Sequence, residues 1–398
     1  MLVLVALFMA GAEMAVAQES LLTALYAALV PLRAQPQARP EVRGASPQFT
    51  TLKHQLRDWV ESRLVDFPQR GSEAALAQEL NAVLLKAELT CSTNRGGPAE
   101  YCSSESFVGY LETLRVTRQQ EFLIVETGMG IICGYDESAY LYRWNGSKWQ
   151  RLWSSEQTIY TEKQYVPQTI HAVQISPVRA GQKQRLVLTL GSNSWCSSNW
   201  HPVYYRLWRI GGEQEQMTAP LIDRKEMAFL GKNTPPISAT LKAQELTVEF
   251  SALSIDPSVH SRNAVRRFTI NGSRARRVAP IAITPRNFVE EWLTLPWMES
   301  RSLSNPSSLP ALQKWHKRFF TGGGEFTAVS KLCKGNGDEW QVSLRVISPI
   351  DKTEPPHYFL VRWRKPHSFA LMQISDQAWD NCLIADAQVD EYRTLLTH

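Results

Sequence analysis

Ala139–Trp153, AYLYRWNGSKWQRLW, decides how the rest of the chain is read. Two aromatic runs flank Asn145-Gly146. Asn-Gly tolerates the positive φ that a type I′ turn demands, so the stretch predicts a β-hairpin with a well-specified register. Working backwards, "EFLIVETGM" and "GYLETLRV" have the period of two expected of half-buried strands, giving a four-stranded meander that begins near Phe107.

Working forwards, the same succession recurs. "TIHAVQISP", "QRLVLTLGS", "PVYYRLWRI" and "EQEQMTAPLI" form a second set turning at Gly211-Gly212. "ISATLKAQ", "ELTVEFSAL", "NAVRRFTI" and "SRARRVAPIAI" form a third, turning at Asn271-Gly272. "EFTAVSKL", "EWQVSLRVI", "HYFLVRWR" and "SFALMQIS" form a fourth, turning near Lys365-Pro366. Helical patterns precede the first set: Leu52, Leu56, Trp59, Val60 and Leu64 make one stripe, and Ser72 can cap the helix carrying Leu76, Leu80, Val83, Leu84 and Leu89. A helical insert near 287–320 precedes the fourth.

The predicted fold class is therefore mainly β: four four-stranded antiparallel meanders, β-propeller-like, with N-terminal helices and that insert. The alternative is two or more α+β or sandwich domains. Helices precede an antiparallel sheet at 52–153 and again at 288–375, and the C-terminal domain would be NTF2-like. The expected organisation is a signal peptide over 1–17, a flexible arm or linker over 18–50, helices plus three meander units over 51–286, and the insert, fourth meander and C-terminal tail over 287–398.

Leu2–Ala12 supply an apolar run and Ala15-Val16-Ala17 small residues for cleavage, although no Lys or Arg precedes the run and Glu13 interrupts it. Six cysteines, Cys91, Cys102, Cys133, Cys196, Cys333 and Cys382, include no C-x-x-C pair. Disulfides fit better than zinc, and local pairing favours Cys91–Cys102, Cys133–Cys196 and Cys333–Cys382. The protein is expected to be secreted or periplasmic, with no stable membrane span after signal cleavage. A net charge of +5 over 398 residues is too small for a nucleic-acid footprint unless it is concentrated somewhere, and no nucleic-acid partner is expected.

Catalytic motifs are missing: there is no G-x-S-x-G, H-E-x-x-H, phosphate loop or EF-hand. No cofactor or metal is implied, and Gly128 and Gly130 in "ETGMGIICG" read as permitting a bend or bulge. Glu290 and Glu291 read as a solvated helix face. Two ligand-binding candidates remain. Arg266, Arg267, Arg274, Arg276 and Arg277, with Arg262, concentrate positive charge on one hairpin and suit anionic groups, against the reading of an outer strand kept soluble by charge. Trp195, Trp200 and His201 sit near Cys196 in a loop suited to stacking a sugar ring, against the reading that they plug the end of a sheet. The functional expectation is an exported, non-catalytic binding protein with a protein or glycan partner. The alternative is a secreted hydrolase of glycans or esters whose acidic or Ser/His residues only the fold assembles.

Overall fold

The computed structural model describes residues 19–31, 33, 47–90, 109–131, 134–156, 168–178, 184–193, 200–211, 219–229, 237–255, 261–278, 281–321, 325–327, 332–335, 337–347, 355–364, 368–380 and 383–384. The 1–17 leader, the Pro-rich stretch 34–46, Trp195 and every cysteine except Cys333 lie outside them. The chain divides into two compact units, Met1–Lys225 and Glu226–His398. The third meander thus belongs with the helical insert, where the sequence suggested a boundary near 286.

In the first unit, helix α1 (19–31) buries Leu25 and Leu29, so part of the expected arm is a packed helix. Helix α2 (Pro47–Leu64) and helix α3 (Glu73–Lys86) present the stripes their spacing predicts; Leu52, Leu56, Trp59, Val60, Leu76, Leu80 and Leu84 are all buried. Ser72 caps α3, its hydroxyl accepting from the Ala75 amide at 3.3 Å. The sheet that follows is β1 (Arg115–Gln119), β2 (Phe122–Ile131), β3 (Gly134–Trp144) and β4 (Trp149–Ser154), antiparallel in that order. Leu123, Val125, Tyr140 and Tyr142 face the three helices. Phe122, Ile124, Ala139 and Leu141 on the other face pack with Ile170, Val173 and Val187. Those belong to β5 (Gln168–Ile175) and β6 (Arg185–Asn193), which pair in turn with β7 (Trp200–Ile210).

The opening hairpin exists with a longer turn than the sequence suggests. Trp144 pairs with Trp149, leaving four residues, 145–148, in the loop. The Asn145 carboxamide oxygen accepts from the Ser147 and Lys148 amides, each at 3.0 Å, and Gly146 takes φ +105°. Asn145 therefore works as an Asx turn, and the left-handed residue is the glycine. At Asn271-Gly272 the loop is the short one: Asn271 pairs with Arg274 across Gly272 (φ +55°) and Ser273.

Strand β8 (Ile222–Phe229) leads into the second unit. There β9 (Ile237–Leu241), β10 (Glu245–Leu253), β11 (Ser261–Asn271) and β12 (Arg274–Val278) pair consecutively, and Ala228 of β8 pairs with Ala252 of β10. Helices α4 (Pro285–Thr294), α5 (Trp297–Ser302) and α6 (Leu309–Thr321) follow. The last strands are β13 (Glu325–Thr327), β14 (Leu332–Lys334), β15 (Glu339–Ile347), β16 (His357–Arg364), β17 (Ser368–Ser375) and β18 (Leu383–Ile384). Their sheet runs β17-β16-β15-β14-β18, with β13 also on β15. Phe288, Val289, Trp292 and Leu293 of α4 bury against Trp340, Val342, Phe359, Val361 and Leu371.

The fold is mainly β and built from antiparallel meanders, as the two-residue periodicity predicts. Among the described residues no sheet closes into a barrel, and the meanders do not by themselves establish a propeller. Helices rather than a neighbouring blade cover one face of the β1–β4 sheet and of the β15–β17 sheet. Both stretches have the layered α+β form of the alternative reading.

Candidate functional site

The polar cluster of greatest chemical interest lies in the first unit, where regular pairing breaks twice. Arg115 is opposite Glu126, yet Leu111 is opposite Met129. One extra residue therefore lies on the 111–115 side, a β-bulge. Asn81 of α3 holds it, donating to the Leu114 carbonyl at 2.9 Å and accepting from the Leu114 amide at 2.8 Å. In β5 the register shifts between Ile170 and Ala172, leaving His171 as the bulged residue. Bulges re-aim side chains, and these two direct Glu112 and His171 toward one place.

That place is roofed by the face of β2 and β3 carrying Tyr135 and Glu137 opposite Gly130 and Gly128. The glycines leave open the space that side chains would fill. A Cβ on Gly128 would lie 2.6 Å from Glu112 Oε2 and 3.1 Å from Glu137 Cγ. A side chain at 128 would therefore have to displace the Glu112 carboxylate from Glu137. Gly191 of β6 plays a similar part, since a Cβ there would overlap the Tyr204 hydroxyl, which donates to the Thr169 carbonyl at 3.2 Å.

Glu137 is buried and hydrogen-bonded through its side chain to Glu112. Burial, that hydrogen bond and the Glu112 charge push its pKa up to about 9, against the opposing pull of the Ile170 amide and Arg115. The Ile170 amide donates to Glu137 Oε2. At neutral pH Glu137 therefore keeps its proton. Arg115 bonds Glu126 at 3.0 Å and lies 3.7 Å from Glu137. Burial raises the Glu126 pKa, with Arg115 opposing, and burial followed by the two neighbouring carboxyls raises Tyr135. Desolvation, Arg115 and His201 lower His171, keeping its imidazole neutral. His171 Nε2 and Ser192 Oγ are hydrogen-bonded at 2.9 Å, and His201 Nδ1 donates to the Asn193 carbonyl at 3.1 Å. Arg115 and His171 are exposed, whereas Glu137 and Ser192 are buried behind them.

Of the aromatic-loop candidates, Trp200 and His201 begin strand β7 rather than standing in a loop, and His201 reaches the edge of this cluster. Sequence pattern does not single out Glu112, Arg115, Glu126, Tyr135, Glu137 and His171 as a group. The usable signal is Gly128-Met129-Gly130 inside a strand pattern, which marks a close approach as well as a bend.

The arginine hairpin of the second unit divides by face. Arg262, Arg266 and Arg277 turn inward to α4. Arg262 bonds Glu291 at 2.5 Å and Glu290 at 3.3 Å, Arg266 bonds Glu291 at 3.0 Å and Glu226 at 2.9 Å, and Arg277 bonds Glu299 at 2.9 Å. Glu290 and Glu291 are each 1% exposed, so the expected solvated helix face is instead a buried ion network. Their adjacency misled: the carboxylates meet arginines from a strand far away in sequence. Burial works against the Glu291 charge, but Arg262 and Arg266 outweigh it and hold its pKa below the usual range. Arg267 bonds Glu245 at 3.2 Å, while Arg274 and Arg276 are exposed on β12.

Among the described residues no group of three or more His, Cys, Asp or Glu is arranged to hold a metal ion, and no helix is long and apolar enough to cross a membrane. No family model matches the chain, and no curated protein matches its sequence. Solved structures are similar at low levels, three of them as follows. A BT0996 RGII complex has 7% identity and a TM-score of 0.25, covering 66% of this chain and 72% of that one. A GH62 hydrolase in complex with xylotriose has 10% identity and a TM-score of 0.21, covering 68% and 94%. The catalytic domain of a GH62 alpha-L-arabinofuranosidase from Coprinopsis cinerea has 11% identity and a TM-score of 0.14, covering 66% and 89%. At these scores the likeness carries no argument about fold or function.

Proposed function

We propose that the protein is exported and binds a carbohydrate, without cleaving glycosidic bonds, at the bulged cluster of its first unit. The observation that carries this reading is the proton-sharing pair Glu112–Glu137 behind an exposed rim of Arg115 and His171. A sugar hydroxyl needs a donor and an acceptor side by side: the shared proton lies between the two carboxyls, so the pair presents acceptor oxygens, and the Arg115 guanidinium 3.7 Å from Glu137 supplies donors beside them. Arg115, Tyr135 and the His171 imidazole add further fixed partners. Glycosidase chemistry does not suit the pair: retaining and inverting mechanisms separate their two carboxyls by about 5–9 Å, leaving room for the anomeric carbon or a water. Carboxyls bonded to each other leave none.

Export rests on the apolar run Leu2–Ala12 and on the cysteines, of which Cys333 is buried on β14 beside β18. The binding experiment is calorimetric titration of the full-length protein with a panel of neutral and acidic oligosaccharides. Binding lost in Glu112→Gln and Glu137→Ala, with the fold retained by circular dichroism, supports the reading; a folded wild type that binds none overturns it.

One observation favours a second reading, ester hydrolysis. Ser192 Oγ lies 2.9 Å from the neutral imidazole of His171, within reach for a nucleophile and its base. Ser192 would attack the ester carbonyl while His171 Nε2 takes its proton and then delivers it to the leaving alkoxide; water with the same base would free the acyl-serine. The burial of Ser192 weighs against it. Fluorophosphonate labelling that is lost in Ser192→Ala supports hydrolysis, and an unlabelled wild type removes it.

A further inference from the structure

We propose that the outward face of strands β11 and β12 in the second unit is a docking surface for a carboxylated polysaccharide, separate from the cluster in the first unit. The two faces of this hairpin use arginine in opposite ways. The inward set, Arg262, Arg266 and Arg277, is engaged by Glu226, Glu290, Glu291 and Glu299, so its charge is neutralised within the unit. The outward set is Arg267, Arg274 and Arg276. Its register partners fix the face: Thr269 is opposite Arg276, and Asn271 is opposite Arg274.

Glu245, which bonds Arg267, sits opposite Thr269 on β10. Two carboxylates of β10, Glu245 and the exposed Glu249 opposite Val265, share this face with three guanidinium groups; both lie one strand away from β12, which leaves the surplus at Arg274 and Arg276. These are two residues apart, about 7 Å along an extended strand, and point the same way. Every exposed position of β11 and β12 is Arg, Asn or Thr: Asn263, Thr269, Asn271, Arg274 and Arg276.

That composition selects the occupant. A protein partner would need an apolar centre to exclude water, and the exposed positions supply none. A duplex nucleic acid would need many more cations, since affinity grows with the number of phosphates neutralised. A uronic-acid polymer matches: it repeats one carboxylate per sugar on a neutral, hydroxyl-rich backbone. Guanidinium forks can take the carboxylates in bidentate fashion, and Thr269 and Asn271 offer hydrogen bonds to the hydroxyls between them.

The test is retention of the full-length protein on immobilised polygalacturonate, with dextran as uncharged control and duplex DNA as charge control. The expected result is retention on polygalacturonate and not on dextran, weakening with added salt. Retention should fall at least tenfold in Arg274→Glu/Arg276→Glu and in Arg274→Ala/Arg276→Ala. Both positions are exposed, so the thermal midpoint should not move. The first-unit site is read separately, by the calorimetric titration of Glu112→Gln and Glu137→Ala, so failure of this surface and failure of that site are told apart. No retention, equal retention by the double variants, or tighter binding to DNA than to polygalacturonate would overturn the proposal.

Discussion

Replacing Glu137 by Gln tests the proton-sharing pair through stability, independent of any ligand. The Glu137 carboxyl titrates at an ordinary 4.5 when unfolded and near 9 when folded. Between those values the folded protein holds a proton the unfolded one has lost. Stability therefore declines as pH rises across this window, at a limiting rate of about 1.4 kcal/mol per pH unit. From pH 5 to 7 the loss from this group is about 2–3 kcal/mol at most. Glutamine keeps a carbonyl for the Ile170 amide and an NH₂ group to donate to Glu112, and it does not titrate. The difference in unfolding free energy, variant minus wild type, should therefore grow with pH. Urea unfolding of both proteins at pH 5, 6, 7 and 8 reads it out. Parallel stability curves would refute the shared proton.

Three other outcomes follow from the same structure. Gly128→Ala should push Glu112 off Glu137, costing about 1–3 kcal/mol and bringing the Glu137 pKa down, as carboxyl carbon NMR shifts would show. Glu291→Ala leaves Arg262 and Arg266 buried without their shared carboxylate, and chemical denaturation should report a loss of about 3–5 kcal/mol; because Arg262 and Arg266 hold the Glu291 pKa down, that stabilisation is present at neutral pH and lost as pH falls through the depressed value. Strand β14, which carries Cys333, pairs with β18 (Leu383–Ile384), and non-reducing peptide mapping should find Cys333 joined to Cys382; two free thiols there would contradict it.

Much of the fold was legible because burial imposes a period. The α2 and α3 stripes, the Ser72 cap and the strands around Asn145 and Asn271 follow from spacing and turn chemistry alone. The layering was harder to read, since a two-residue period shows that a sheet face is buried and not whether a helix or another sheet covers it. The Arg262–Glu291 network was illegible for a similar reason: a charged residue reads as exposed until its partner, distant in sequence, is placed beside it. The candidate site depends on two register shifts, at Glu112–Leu114 and at His171, and an extra residue in a strand leaves little trace in hydrophobic pattern. Its one visible mark was the glycine pair in β2.

The most direct test of carbohydrate binding at the bulged cluster takes one oligosaccharide, chosen from the panel by wild-type affinity, and follows carboxyl NMR at Glu112 and Glu137. Saturation should shift both resonances, and the affinity should weaken above pH 9, once the shared proton is gone. A saccharide that binds while leaving both carboxyl signals and their titration unchanged would contradict the assignment.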